Sequence, residues 1–190
     1  MSPRVIGKDK AERYFEALQA EFPGLRMIEK EHDRLSKVVA LLLRLGTLNG
    51  QKAYLSQYTT VLGNTIYVPT QWKQRSADDR YITLRHEAVH LRQVRRLGIV
   101  RMSLYYGVWV FPIGLAYGRA RIEWEAYAET LAAYVDVYGM KYARSPEVRA
   151  HIVKQFTSAA YGWMWPFPSQ VNRWMDEALD ALEAKRETSR

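Results

Sequence analysis

The sequence predicts an α+β chain in which helices are followed by a small sheet and then by more helices. Three observations carry this. Apolar residues recur at helical spacing on both sides of residues 53–69. That stretch is itself rich in Tyr and Thr and is broken by Gly63-Asn64. Capping residues and glycines punctuate each helical run. At 190 residues, with no internal repeat, low-complexity tract or linker, one domain is expected over 1–190. Its parts are an N-terminal helical extension (1–46), a core (47–139) and a C-terminal helical portion (140–190).

The elements follow in order. Residues 9–21 read as a helix, with Ala11, Phe15, Leu18 and Phe22 on one face and Pro23-Gly24 as the stop. Residues 31–45 read as a second helix, carrying Leu35, Val38, Val39, Leu42 and Leu45 and closed by Gly46. Residues 53–61 and 65–69 read as paired strands about a turn at 62–64. Pro69 places the second strand at an edge or a terminus, since proline has no amide to donate to a central ladder. Ser76, with Asp79 three residues on, has the pattern of a helix start for a long helix from about 78 to 97, closed by Gly98. Further helices are expected at 119–138 (closed by Gly139), after Ser145-Pro146, and at 171–185, with an aromatic loop at 162–168.

Composition removes several kinds of chemistry. With 48% hydrophobic and 25% charged residues the chain is globular in composition rather than disordered. The absence of cysteine excludes disulfide scaffolds, thiolate zinc sites, iron–sulfur clusters and cysteine nucleophiles. Any metal is therefore held by carboxylates and the four histidines. The net charge of +8 permits attraction to nucleic acid, anionic membrane or acidic protein without choosing among them. The first ten residues show no apolar run of the signal-peptide kind, which together with the missing cysteines leads us to expect a cytoplasmic location. Residues 102–118 form a 17-residue uncharged stretch interrupted by Gly107, Pro112 and Gly114. It is shorter than the roughly 20 apolar residues a spanning helix needs, so a buried helical wall is expected over membrane contact.

The long helix contains His86-Glu87-Ala88-Val89-His90, the pattern H-E-x-x-H. Residues i and i+4 lie about 40° apart on a helix, so both imidazoles leave one face and can share one zinc ion. Glu87 stands about 100° round from His86, beside the metal, where it can polarise a bound water. Tyr81, Leu84, Ala88 and Leu91 form an apolar stripe opposite the pair, while Ile82, Val89 and Leu97 flank it. Such a helix is covered on both faces rather than solvated.

A catalytic zinc takes a third protein ligand. The helix after the uncharged stretch offers Glu123, Glu125 and Glu129. With its E-x-x-A-E at Glu125, Ala128 and Glu129, followed by Leu131-Ala132-Ala133, the chain resembles the gluzincin branch of zinc metallopeptidases. The small intracellular minigluzincins and the ImmA/IrrE-type peptidases are the nearest in style. The resemblance spans about residues 65–138. It implies a zincin-like fold, with a small sheet whose edge strand lies on the active-site helix, catalytic residues within 47–139 and additional helices at both ends. It also implies Glu125 as zinc ligand and Glu129 as the acid supporting a ligand histidine. Glu123 competes, because Glu123-Trp124-Glu125-Ala126 gives the same E-x-x-A. Helical geometry favours Glu125: at 100° per residue it shares a stripe with Glu129, Ala132 and Asp136, whereas Glu123 points among Tyr127, Tyr134 and Tyr138.

Weaker candidates complete the list. In several gluzincins a downstream His or Tyr steadies the oxyanion, which nominates His151 and, behind it, Tyr161. His32 reads as a solvated residue, and Arg85, Arg92, Arg95, Arg96 and Arg101 as a charged face. The expected function is a zinc-dependent metallopeptidase that hydrolyses a peptide or protein substrate, with His86, His90 and Glu125 on the metal and Glu87 as the base. The alternative is a basic module binding nucleic acid or membrane, in which H-E-x-x-H is structural.

Overall fold

Asp9 opens the first helix through its own chemistry. Its carboxylate accepts from the Glu12 amide at 2.9 Å, and the Glu12 side chain returns a bond to the Asp9 amide at 3.0 Å. The computed structural model describes residues 8–30, 59–98, 100–102, 105, 116–158 and 164–189. Within them lie α1 (Lys10–Glu21), β1 (Arg26–Glu29), β2 (Thr60–Leu62), β3 (Thr65–Val68) and a 3-10 turn (Trp72–Gln74). The long helices α2 (Ala77–Leu97) and α3 (Tyr117–Tyr138) follow, then α4 (Met140–Ala143), α5 (Pro146–Thr157) and α6 (Pro168–Thr188). The described part is thus α+β and mostly helical. The expected helix 31–45, most of the strand expected at 53–61, His32, Tyr161 and nearly all of 102–118 lie outside the described residues. No helix among the described residues is long and apolar enough to cross a membrane.

The caps read from the sequence are present. Ser76 accepts from the Asp79 amide at 3.0 Å, and Ser145 from the Val148 amide at 3.3 Å with Pro146 at the first helical position. α2 and α3 end on Gly98 and Gly139 at φ of 77° and 86°, backbone angles that a Cβ disfavours.

The sheet differs from expectation. Its order is β1-β3-β2, with β3 parallel to β1 (Arg26↔Thr65 through Glu29↔Val68) and antiparallel to β2 (Thr60↔Tyr67 through Leu62↔Thr65). The 65–69 strand is therefore central. Proline does not conflict with that position, because the ladder stops at Val68 and leaves Pro69 outside it. The unforeseen strand is β1. Its four residues, Arg-Met-Ile-Glu, are too few and too mixed for alternation to stand out.

Among the described residues, two hydrophobic clusters form the interior. One joins α1, the sheet and α2 through Leu18, Leu25, Ile66, Val68, Leu84, Ala88 and Leu91, so the apolar stripe read from α2 is buried as expected. The other joins α3, α5 and α6 through Trp124, Leu131, Ile152, Phe156, Trp174 and Met175. α2 and α3 are the walls at which these clusters meet. Phe156 sits against Trp124, Tyr127 and Trp174 with ring centroids 6.4, 5.5 and 6.3 Å away. We expect Phe156→Ala to cost about 3–5 kcal/mol, the range for emptying a buried aromatic site. Equilibrium urea unfolding checks this; a cost below about 1 kcal/mol would contradict the packing described.

Candidate metal centre

α2 carries His86 and His90 one turn apart, their rings 5.0 Å apart and edge to face. α3 runs antiparallel to it, since Arg85 meets Asp136 near the end of α3 whereas Gln93 meets Ile122 near its start. Small residues line the contact. Ala126 and Ala133, on the same side of α3 as Ile122 and Thr130, are fully buried, and alanine lets helix backbones approach closely.

The face that α3 brings to the histidines is that of Glu123. Its Oε2 lies 3.9 Å from His86 Nε2 and 3.8 Å from His90 Nε2. Among the described residues His86, His90 and Glu123 form a group able to hold a metal ion, their donor atoms all within 4.8 Å of one another. Tetrahedral ligation at about 2.1 Å places ligand atoms about 3.4 Å apart, so each imidazole–carboxylate pair would close by about half an ångström and the pair of imidazole nitrogens, within 4.8 Å, by up to about 1.4 Å. Two nitrogens and one carboxylate oxygen are also a donor set that zinc accepts.

Hydrogen-bond polarity places a proton on Nδ1 of both rings. The Thr130 hydroxyl donates to the Ala126 carbonyl at 3.0 Å, so the same oxygen, 3.0 Å from His86 Nδ1, accepts from it. Gln93 Nε2 donates to the Ile122 carbonyl at 3.0 Å and to Glu125 Oε2 at 2.9 Å. Its Oε1 therefore accepts from His90 Nδ1 at 2.9 Å. With a proton on each Nδ1, both Nε2 atoms face Glu123, the orientation from which a ring nitrogen could ligate a metal.

Glu125, expected as the ligand, lies elsewhere. Its carboxylate is held by Arg96 at 2.9 Å and by Gln93. Glu129, expected to support a histidine, instead takes Arg85 at 2.6 Å, and Asp136 pairs with the same guanidinium. The stripe of acids read from the sequence does exist, but it faces the arginines on one flank of the interface while the histidines occupy the other. The support expected from Glu129 comes from two neutral groups, Thr130 and Gln93. Arg85 and Arg96 stand eleven residues apart on α2, as do Glu125 and Asp136 on α3, and this matched spacing is the signal that identifies the flank.

Glu87 is buried beside the pair, on the opposite side of α2 from the arginines. Burial raises its pKa to about 7, with Glu123 adding to the rise and His90 and Lys30 opposing it. Burial and the neighbouring His90 push His86 down to about 3. Lys30, missed in the sequence, is fully buried just past β1, and its Nζ donates to Thr60 Oγ1 at 3.0 Å. Burial lowers its pKa to about 8 against the pull of Glu87. Tyr127, also missed, sets its ring edge to face with His86, centroids 4.9 Å apart. His151 is exposed on α5, 3.4 Å from the side-chain nitrogen of Gln155.

Most of the basic face is taken up internally. Arg92 and Arg95 bind Glu21 at 2.7 and 3.0 Å, as Arg85 and Arg96 bind the acids of α3. Comparison with protein-family models, with curated proteins and with solved structures found no match.

His86 and Glu87 pull the stability of the metal-free protein in opposite directions. His86 moves from 6.5 unfolded to about 3 folded, so its contribution is full above pH 6.5 and is lost as pH falls towards 3. Glu87 moves from 4.5 to about 7, so its contribution is full below pH 4.5 and is lost as pH rises through 7. Melting temperatures recorded in chelator from about pH 3 to pH 8 should show His86→Gln flattening the acid limb. Glu87→Gln should remove the decline between 4.5 and 7. Curves parallel to wild type for both variants would contradict the burial of these groups.

Proposed function

We propose that the protein is a zinc-dependent metallopeptidase. The observation that carries this reading is the convergence of His86, His90 and Glu123 from two helices, with a buried carboxyl, Glu87, next in sequence to the first histidine. His86, His90 and Glu123 would hold the metal. When bound there, zinc supplies a Lewis acid for a substrate carbonyl and lowers the pKa of a water at its open position. Glu87 takes a proton from the attacking water as its oxygen adds to the scissile carbonyl carbon. The same carboxyl then passes that proton to the departing amine nitrogen as the C–N bond breaks. A carboxyl whose pKa burial has brought near neutrality suits both halves of that transfer. Thr130 and Gln93 hold the imidazoles with Nε2 inward, and Tyr127 packs against His86.

The alternative of a basic binding module draws less support, because Arg85, Arg92, Arg95 and Arg96 are each engaged by a carboxylate. The gluzincin resemblance supports the reaction class, with one amendment. The ligand would be the first glutamate of Glu123-Trp124-Glu125-Ala126 rather than Glu125, with Tyr127 where the resemblance expects an acid.

Zinc content of the purified protein tests the assignment. We expect about one zinc per chain, lost in His86→Ala and Glu123→Ala and retained in Glu125→Ala and Glu87→Gln. Peptidase activity should fall by about 10²-fold or more in Glu87→Gln, the lower range for removing a general base. Zinc lost from Glu125→Ala but kept by Glu123→Ala would overturn the ligand assignment. A wild type that binds no zinc would overturn the function. Peptides retained by Glu87→Gln and identified by mass spectrometry would define the substrate.

A further inference from the structure

We infer that Gln93 is the positioning residue of the metal centre, joining one ligand to the other through a single amide. The inference rests on the metal-site reading above. Gln93 lies three residues after His90, which puts both side chains on one face of α2. It is 2% exposed. Its Oε1 accepts from His90 Nδ1, and its Nε2 donates to the Ile122 carbonyl. That carbonyl belongs to the peptide unit that continues into Glu123. One planar group therefore fixes the ring of His90 and the backbone of Glu123 across the interface between α2 and α3.

The two tasks demand opposite polarity about 2.2 Å apart, a separation set by the amide itself, and an amide carries both an acceptor and a donor whatever the pH. A carboxylate at 93 would accept from His90 but offer nothing to the Ile122 carbonyl, and would also face Glu125. Leucine would fill the volume and do neither. The second Nε2 hydrogen goes to Glu125, whose carboxylate is held by Arg96, so both donor hydrogens and the oxygen of the amide are engaged. Glu125 thereby acts on the metal site at one remove, by orienting the amide that orients His90.

The test is zinc affinity of the full chain, measured by competition with a chromophoric chelator, alongside the ligand-field spectrum of the cobalt-substituted protein. Gln93→Leu should bind zinc about 10- to 100-fold more weakly, the range for losing such a partner, with altered cobalt bands. Gln93→Glu should also weaken binding. Adding Glu125→Gln to it should recover only the part due to the two facing carboxylates, because position 93 still offers no donor to the Ile122 carbonyl. Gln93→Glu is close to isosteric and keeps the idea testable even where Gln93→Leu fails to fold. Wild-type affinity in Gln93→Leu or in Gln93→Glu, or full recovery in the double variant, would overturn the role of Gln93. In each case loss of zinc in Glu123→Ala would leave the site reading standing. Full zinc affinity in Glu123→Ala would instead overturn the metal site itself.

Discussion

A buried charge must meet a partner or be given up, and this constraint organises the interface between α2 and α3. Each helix carries both an apolar edge and several ionisable groups, so burying the edge forces the ionisable groups to be sorted. They separate into two flanks. On one, Arg85 and Arg96 take Glu129, Asp136 and Glu125. On the other, two imidazoles face one carboxylate, an arrangement that a divalent cation would complete. The alanines between the flanks let the helices approach closely enough for both sets of contacts to form.

Much of the fold can be read directly from residue patterns. Ser76 and Ser145 announce helix starts by cap chemistry, and Gly98 and Gly139 announce ends by backbone freedom. The apolar stripe of Leu84, Ala88 and Leu91 foretells which side of α2 is core. The H-E-x-x-H spacing likewise locates the histidine pair and the acid beside it. The sheet is less legible. β1 is four residues long and half charged, and the position of a strand within a sheet depends on partners remote in sequence.

The third member of the cluster eludes the sequence for a specific reason. Glu125, Glu129 and Asp136 do share one face of a helix, but a stripe of acids is equally well matched by arginines. Which flank meets the histidines is set by how far α3 is rotated about its own axis, a tertiary property. Gln93 and Thr130 stay hidden for a related reason. Neutral side chains gain their role only when a particular carbonyl and a particular ring nitrogen are brought within hydrogen-bond reach of them.

The two hydrophobic clusters give the candidate centre a mechanical meaning. α2 is anchored in the cluster built with α1 and the sheet, and α3 in the one built with α5 and α6. A cation shared by His86, His90 and Glu123 would therefore cross-link two separately cored halves of the described fold. Ligand binding to the native state alone adds RT ln(1 + [L]/Kd) to stability, and here that increment would fall on the seam rather than within either half. Loaded, the halves would unfold as one cooperative unit. Stripped, they would be free to open along the seam at a lower free energy than either core requires, exposing the interior faces of both helices to proteolysis.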